Sequence, residues 1–402
     1  MTTLWDTTGS DVVRALEAER RSAGALAFGL ALTLVVVTDQ DSVAEAEAAA
    51  KAAAAAHPCR ILLVIRRHLE APEPRLDAEV LIGGRLGPGE AVVMRMFGRL
   101  GLHAESVVLP LLAPDAPVVT WWHGAMPDKI AFDPLGVFAD RRVTESMYSN
   151  DPMAALHQRA VDYAPGDTDL SWARTTSWRA LIAAAFDSLS STPKSAMVTG
   201  AEPPPTALLV GWLRSKLGID VHLNVSGRDI QEVSFELSDA GTATQLSIKR
   251  RDERSAVIKR ADQADRVMPL PPRDLGDLLA EDVRRLDADE VFAEALSAWT
   301  GVKNLSRRSP KREHIWHDPM IGSSSADADE IEQSDEKARR APAKKAAKAT
   351  AKSAAKAPAK TAAKASAKKA APAKSATKAP AKAAAKTAAK ATKASGRKPA
   401  KK

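Results

Sequence analysis

The chain has 402 residues, 58 of them Lys or Arg and 50 Asp or Glu, for a formal charge of +8. That figure averages two unlike parts: Lys337 to Lys402 hold 22 basic residues and no acidic one, so residues 1–336 carry 36 basic against 50 acidic residues, net −14. All 17 aromatic residues stand at or before Trp316, which excludes a single 402-residue globule, and one cysteine, Cys59, excludes an internal disulfide or a multi-cysteine metal site.

The longest apolar run, Ala23 to Val37, has 15 residues and includes Thr33, short of the about 20 a bilayer requires. It follows the charged stretch Glu17 to Arg21, with no short basic leader and no cleavage motif before it. The expectation is a cytoplasmic protein with no signal peptide and no membrane contact. A first helix is expected from a cap at Ser10, with Val12, Val13 and Leu16 on one face. Leu30 to Val37 reads as a strand buried on both sides. Ser42-Val43-Ala44-Glu45 has the form of a capping box ahead of an alanine-rich helix, and Pro58 ends that helix. Arg60 to Ile65 is a second buried strand, so the unit is a crossover and its strands should be parallel. Further strands are expected at Ala78–Ile82, Ala91–Phe97 and Pro117–Trp122, with helices at Gly101–Leu109, Pro152–Val161 and Leu170–Leu189.

Residues 191–205 read as a linker, from Ser-Thr-Pro through Glu202-Pro203-Pro204-Pro205. Thr206–Leu217 is a helix stopped by Gly218. The period then changes to two: Ile219, Val221, Leu223 and Val225 alternate with polar residues, and so do Val233, Phe235 and Leu237. That pattern predicts an antiparallel meander with one wet face, followed by helices at Leu275–Leu286 and Ala288–Trp299. The expected organisation is an α/β N-terminal domain (1–190) with a mixed, partly parallel sheet, the linker, and an α+β C-terminal domain (206–320) whose antiparallel meander packs with helices. An acidic linker (321–336) and a disordered Lys/Ala/Pro-rich basic tail (337–402) complete it.

Motifs for chemistry are sparse. There is no G-x-x-x-x-G-K-[ST] and no G-x-S-x-G. Gly83 to Gly89 is followed by a strand rather than a helix, so it reads as a hairpin loop and not a phosphate cradle. His314-Ile315-Trp316-His317 lacks further metal ligands and reads as surface at a frayed end. Ser191-Thr192-Pro193-Lys194 matches S-x-x-K by chance within the linker. His123 has no nucleophile or orienting carboxylate that can be assigned to it. Cys59 reads as a small buried hydrophobe. No catalytic, cofactor or metal residue is expected. Trp121 and Trp122 should point to opposite faces of one strand, one into the core and the other toward a partner. Arg141 and Arg142 form either a salt-bridge cluster or an anion clamp. Trp172, Arg174, Trp178 and Arg179 interleave the residue types found at binding hot spots, against the plainer reading of core packing with arginine stems over it.

Taken together, several stretches resemble one family. They are Leu32–Val37 with its capped helix, His57-Pro58-Cys59-Arg60 leading into Ile61–Ile65, and His103 to Leu112. Pro114 to Val119 with Trp121-Trp122, Ala139 to Arg142, and Asp169 to Trp172 with Trp178-Arg179 complete the set. From Leu4 to Trp299 the chain resembles the OpcA family of glucose-6-phosphate dehydrogenase assembly proteins. The resemblance implies a non-catalytic partner that promotes assembly or activity of glucose-6-phosphate dehydrogenase, the enzyme that opens the oxidative pentose-phosphate route. It also implies, for some relatives, thioredoxin-dependent control. A lone Cys59 departs from that, since redox control would need an intermolecular bond.

The tail lies outside this resemblance and is similar to the tails of linker histones. Lys352, Lys356, Lys360, Lys364 and Lys368 step by four, as do Lys378, Lys382, Lys386 and Lys390. Repulsion at i,i+4 opposes a helix in water, and a polyanion would relieve it. Sequence-blind nucleic-acid binding driven by counterion release is one reading. A solubilising segment is another, and a grip on the acidic body or an acidic partner is a third. The rivals to an assembly role are thus a nucleoid-associated DNA binder and an unrecognised carbohydrate or nucleotide enzyme.

Overall fold

The computed structural model describes residues 1–318 apart from 24–29, 88, 125, 188, 202, 240–241 and 262. The acidic linker and the tail lysines lie outside the described residues, and both sheets below belong to one compact unit, Met1–Gly322. In chain order the first half contains β1 (Thr2–Leu4), α1 (Gly9–Ser22), β2 (Leu32–Asp39), α2 (Val43–Ala56), β3 (Cys59–Arg67), β4 (Arg75–Ile82) and β5 (Glu90–Phe97). Then come α3 (Glu105–Val108), β6 (Val118–His123), α4 (Pro134–Val137), β7 (Arg141–Thr144), α5 (Pro152–Asp162), β8 (Asp167–Asp169), α6 (Leu170–Arg174) and α7 (Thr176–Phe186). The second half contains β9 (Thr192–Gly200), α8 (Pro204–Leu217), β10 (Asp220–Val225), β11 (Glu232–Asp239), β12 (Thr242–Arg250), β13 (Ser255–Arg260), β14 (Gln263–Pro269), α9 (Leu275–Val283) and α10 (Glu290–Thr300).

The first sheet has eight strands in the order β1-β4-β5-β3-β2-β6-β7-β8. β2 pairs in parallel with β3 (Leu32 opposite Cys59) and with β6, as the crossover pattern requires. Only the β1–β4–β5 edge is antiparallel, and Gly83–Gly89 joins β4 to β5 as the expected hairpin. The unbroken apolar run of β2 splits by alternate residues. Leu34 and Val36 pack beneath α2, whereas Val35 and Val37 pack with α1 and α3 on the other face.

The second sheet runs β10-β9-β11-β12-β13-β14. β11 to β14 form the expected antiparallel meander, with one face packed on α7 and α8, but β10, expected as its first strand, instead pairs in parallel with β9, because α8 carries the chain over between them. Most of the stretch 191–205, expected as a linker, is instead strand β9 (Thr192–Gly200) and the start of α8 at Pro204. β9 is paired on one side with β11 and, in parallel, on the other with β10. Its Ser-Thr-Pro opening hid a strand whose inward residues are only Ala196, Val198 and Gly200. Two expected helices are broken. Leu170–Leu189 divides at Thr175 into α6 and α7, where the Thr175 hydroxyl donates to the Trp172 carbonyl (2.7 Å). Gly101–Leu109 is the four-residue α3 flanked by 3₁₀ turns, with Gly98 and Gly101 in the turn before it and Pro110 in the turn after.

α9 leaves the second sheet and lies on α2, where Gly276 meets Ala49 and Ala52. At the crossing of α8 and α10, a side chain at Gly211 would collide with the Ala295 carbonyl, so only glycine allows that approach. Beyond α10, residues 301–318 return across the first half as a strap. The Ile315 amide donates to the Ala131 carbonyl (2.9 Å). Trp316 stacks on His103 (5.0 Å between centroids) and His317 on Phe132 (4.4 Å). The expectation of a frayed end at His314–His317 is therefore corrected: aromatic stacking holds it down. Among the described residues no helix is long and apolar enough to cross a membrane.

Candidate functional site

At the carboxyl ends of β2 and β6 the chain opens a cleft of about 780 Å³. The parallel register that pairs Thr38 with His123 brings Asp39 and His123 out at the same edge. Gly124, at φ +100°, then turns the chain aside, and a side chain there would meet the Asp39 carboxylate and Ser42. α2 begins at this edge, but not through the expected capping box. Ser42 occupies the cap position without a side-chain bond, and Asp39 Oδ1 accepts the Ser42 amide instead (2.9 Å). Glu45 is thereby left for another contact, and its carboxylate lies 3.4 Å from Nε2 of His123.

The other ring nitrogen of His123 faces Glu145. The pairing of Trp121 with Val143 between β6 and β7, carried two residues further, sets Glu145 level with His123. Nδ1 and Oε2 are 3.0 Å apart, with the imidazole 3 % exposed and the carboxylate 1 %. Sequence reasoning missed this orienting carboxylate, which follows from strand register and not from spacing. Arg174 from α6 donates to the other Glu145 oxygen (3.2 Å). Burial opposes charge on His123, but the hydrogen bond and charge of Glu145, with the charge of Glu45, outweigh it and leave the His123 pKa above its ordinary value. Burial likewise raises the Glu145 carboxyl pKa, against the attraction of His123 and Arg174. Tyr148 meets the imidazole edge-on (5.8 Å) and is half exposed at the cleft mouth.

The residues expected at a partner surface are mostly committed inside. Trp121 and Trp122 do point to opposite faces, but both are fully buried. Trp122 donates to Asp133 (2.8 Å), so the expected outward tryptophan presents no surface. The reason is that both faces of this sheet are covered. Arg141 grips Asp282 of α9 with two bonds (3.0 and 3.1 Å) and also the Asp287 carbonyl. Arg142 holds Asp167 and the carbonyls of Ala139 and Pro165. Of the two readings for this arginine pair the ion pairs stand, buried rather than solvated. Trp172 is buried, donates to Asp289 (2.8 Å) and carries Arg179 over its ring at 3.6 Å. Trp178 is buried against the second sheet under Arg250. Arg174 and Arg179 remain partly accessible. Arg174 also lines a second cleft of about 640 Å³, beside the exposed Met147. Cys59 is buried, and burial pushes its thiol up to about 12, so it stays protonated and unreactive. Among the described residues no group of three or more His, Cys, Asp or Glu is placed to hold a metal ion.

Two family models match the chain. The one described as glucose-6-phosphate dehydrogenase subunit N-terminal domain covers residues 50–161, and the one described as the C-terminal domain of the same subunit covers 165–296. A protein of Synechococcus elongatus described as an OxPP cycle protein OpcA is 28% identical over 168 residues, 37% of this chain and 37% of that protein. The match thus spans little more than a third of the relative's own length. Among solved structures, an oxidoreductase from Sinorhizobium meliloti aligns with a TM-score of 0.34 and 8% identity, over 69% of this chain and 97% of that one. An NAD binding oxidoreductase from Klebsiella pneumoniae gives 0.32 and 11%, over 69% and 98%. Similarities at that level bear on neither fold nor chemistry.

Proposed function

The chain belongs to the OpcA family of glucose-6-phosphate dehydrogenase assembly proteins, and on that premise we propose that it is a non-catalytic cytoplasmic partner that binds glucose-6-phosphate dehydrogenase and favours its active, assembled state. The observation that carries this reading is the pair of family models, which between them cover residues 50–161 and 165–296. Activation by such a partner is limited to the difference between its affinities for the active and inactive enzyme. The docking surface proposed is the exposed turn Met147–Tyr148 with Arg174 beside it, apolar groups flanked by an arginine.

The test titrates purified dehydrogenase with the full-length protein and follows rate, apparent substrate affinity and particle mass. The expected outcome is a heavier complex with raised activity. Met147→Asp should weaken its formation by roughly 30-fold, the effect of losing a hot spot of about 2 kcal/mol. An enzyme unchanged in rate, affinity and mass would sink the proposal.

A second reading concerns the C-terminal segment, favoured by its 22 basic residues without one acid. We propose that it binds nucleic acid or another polyanion without regard to sequence. A gel shift of full-length protein against a chain ending at Glu336, across a salt series, should show binding only in the former and a steep loss with salt. Equal binding by both forms refutes it.

A further inference from the structure

The cleft at β2 and β6 lies where a doubly wound sheet holds small ligands. α2, which follows β2, covers one face of the sheet, and α4, which follows β6, lies on the other through Leu135. The two crossovers therefore diverge at this point and leave a crevice beyond the strand ends. Its volume of about 780 Å³ falls among those of small-molecule sites, about 300–1,000 Å³.

Unpartnered donors stand in its wall. Nε and Nη1 of Arg159 and the hydroxyl of Ser149 are buried without a hydrogen-bond partner. Arg159 is only 7 % exposed, and Nη2 alone is engaged, donating to the carbonyls of Pro127 (3.0 Å) and Asp128. The carboxylates that act on it are committed to other groups. Asp162 binds Arg312, and Asp167 binds Arg312 and Arg142. Asp169 accepts from Thr144, Ser146 and the Ser171 amide. A buried guanidinium with no hydrogen-bonded carboxylate is costly, and burial lowers its pKa. What would satisfy it is an anion reaching its unpartnered N–H groups from the cleft side.

The rest of the cleft has the opposite character. Glu45 stands at the rim with its side chain 55 % exposed, beside His123, and Tyr148 offers a ring wall. The Glu45 carboxylate is an acceptor and Tyr148 an amphipathic face, suited to hydroxyl groups on a compact carbon frame.

We propose that this cleft binds a small polyhydroxylated anion of the sugar-phosphate class, with the anionic group on Arg159 and Ser149 and the hydroxyls on Glu45. The site stands whether or not the chain docks on the dehydrogenase. The test is calorimetric titration of the full-length protein, at about 0.15 M salt to screen surface charge. The probes are glucose 6-phosphate, ribose 5-phosphate and 6-phosphogluconate, set against glucose and inorganic phosphate alone. The expected result is one-site binding of at least one sugar phosphate, weakened roughly tenfold or more by Glu45→Gln and by Ser149→Ala at unchanged melting temperature. Both variants keep the basic segment, so any phosphate held there is unaffected by them. Three outcomes overturn the proposal: no binding of the three anions, equal binding of glucose or of phosphate alone, or affinities untouched in both variants. The dehydrogenase titration is read separately, so failure of either leaves the other to be judged by itself.

Discussion

His123 shares its two nitrogens between Glu145, fixed and buried, and Glu45, on the cleft rim. With its pKa raised in the folded protein, the imidazolium stabilises the fold fully below the unfolded value of about 6.5, and that stability is lost as pH rises through the folded value. Glu145 contributes with the same sign, because burial makes it too hold its proton more tightly in the folded state. The urea midpoint of the wild-type protein should therefore fall from about pH 6.5 upward, and that of His123→Gln should fall less. Parallel curves for the two proteins would remove the dyad from the account. His123 itself was visible in the sequence at the end of a strand. Its partner was not, because Glu145 lies 22 residues on and meets it only through the register of β7, a strand too charged to be recognised.

Elements with a continuous apolar signal were legible in order and direction: β2, α2 and β3, the hairpin after β4, and α8 with its Gly218 stop. Elements held by polar groups were not. β7 and β8 read as Arg141-Arg142 and Asp167-Thr168-Asp169, yet both are buried, since arginine and aspartate neutralise each other across them. The strap at 301–318 is of the same kind. Its anchor, Arg312, binds Asp162 at 2.9 Å and also Asp167. Arg312→Ala leaves those two carboxylates short of a cation, so unfolding should cost about 3 kcal/mol less. Arg312→Lys should recover only part of it, since a point charge cannot reproduce the fork. A chemical denaturation series on the three proteins reads this directly. An alanine variant as stable as the parent would mean that the strap is held by its other contacts, the Ile315–Ala131 bond, Arg308 on the α5 carbonyls, and the Trp316 and His317 stacking.

Across the whole molecule the two sheets are joined through α9, which follows the second sheet in sequence yet lies against the first. The Arg141–Asp282 pair closes this junction, with Thr168 on the same carboxylate (3.2 Å). Asp282→Asn strands a buried guanidinium and should destabilise by roughly 3–5 kcal/mol, whereas Arg141→Met with Asp282→Leu should return most of the loss. The melting curve of the parent should be a single transition, and two transitions in the asparagine variant would identify this pair as what makes the halves unfold together. α2 belongs to the same junction. It starts beside Glu45 at the cleft, runs about 21 Å, and ends where the His57 ring nitrogen meets the Ala280 carbonyl of α9 (3.0 Å). One stiff rod thus touches a candidate metabolite pocket at its head and the opposite lobe along its flank. A displacement of that rod at the pocket would be felt at once by the lobe that α9 holds.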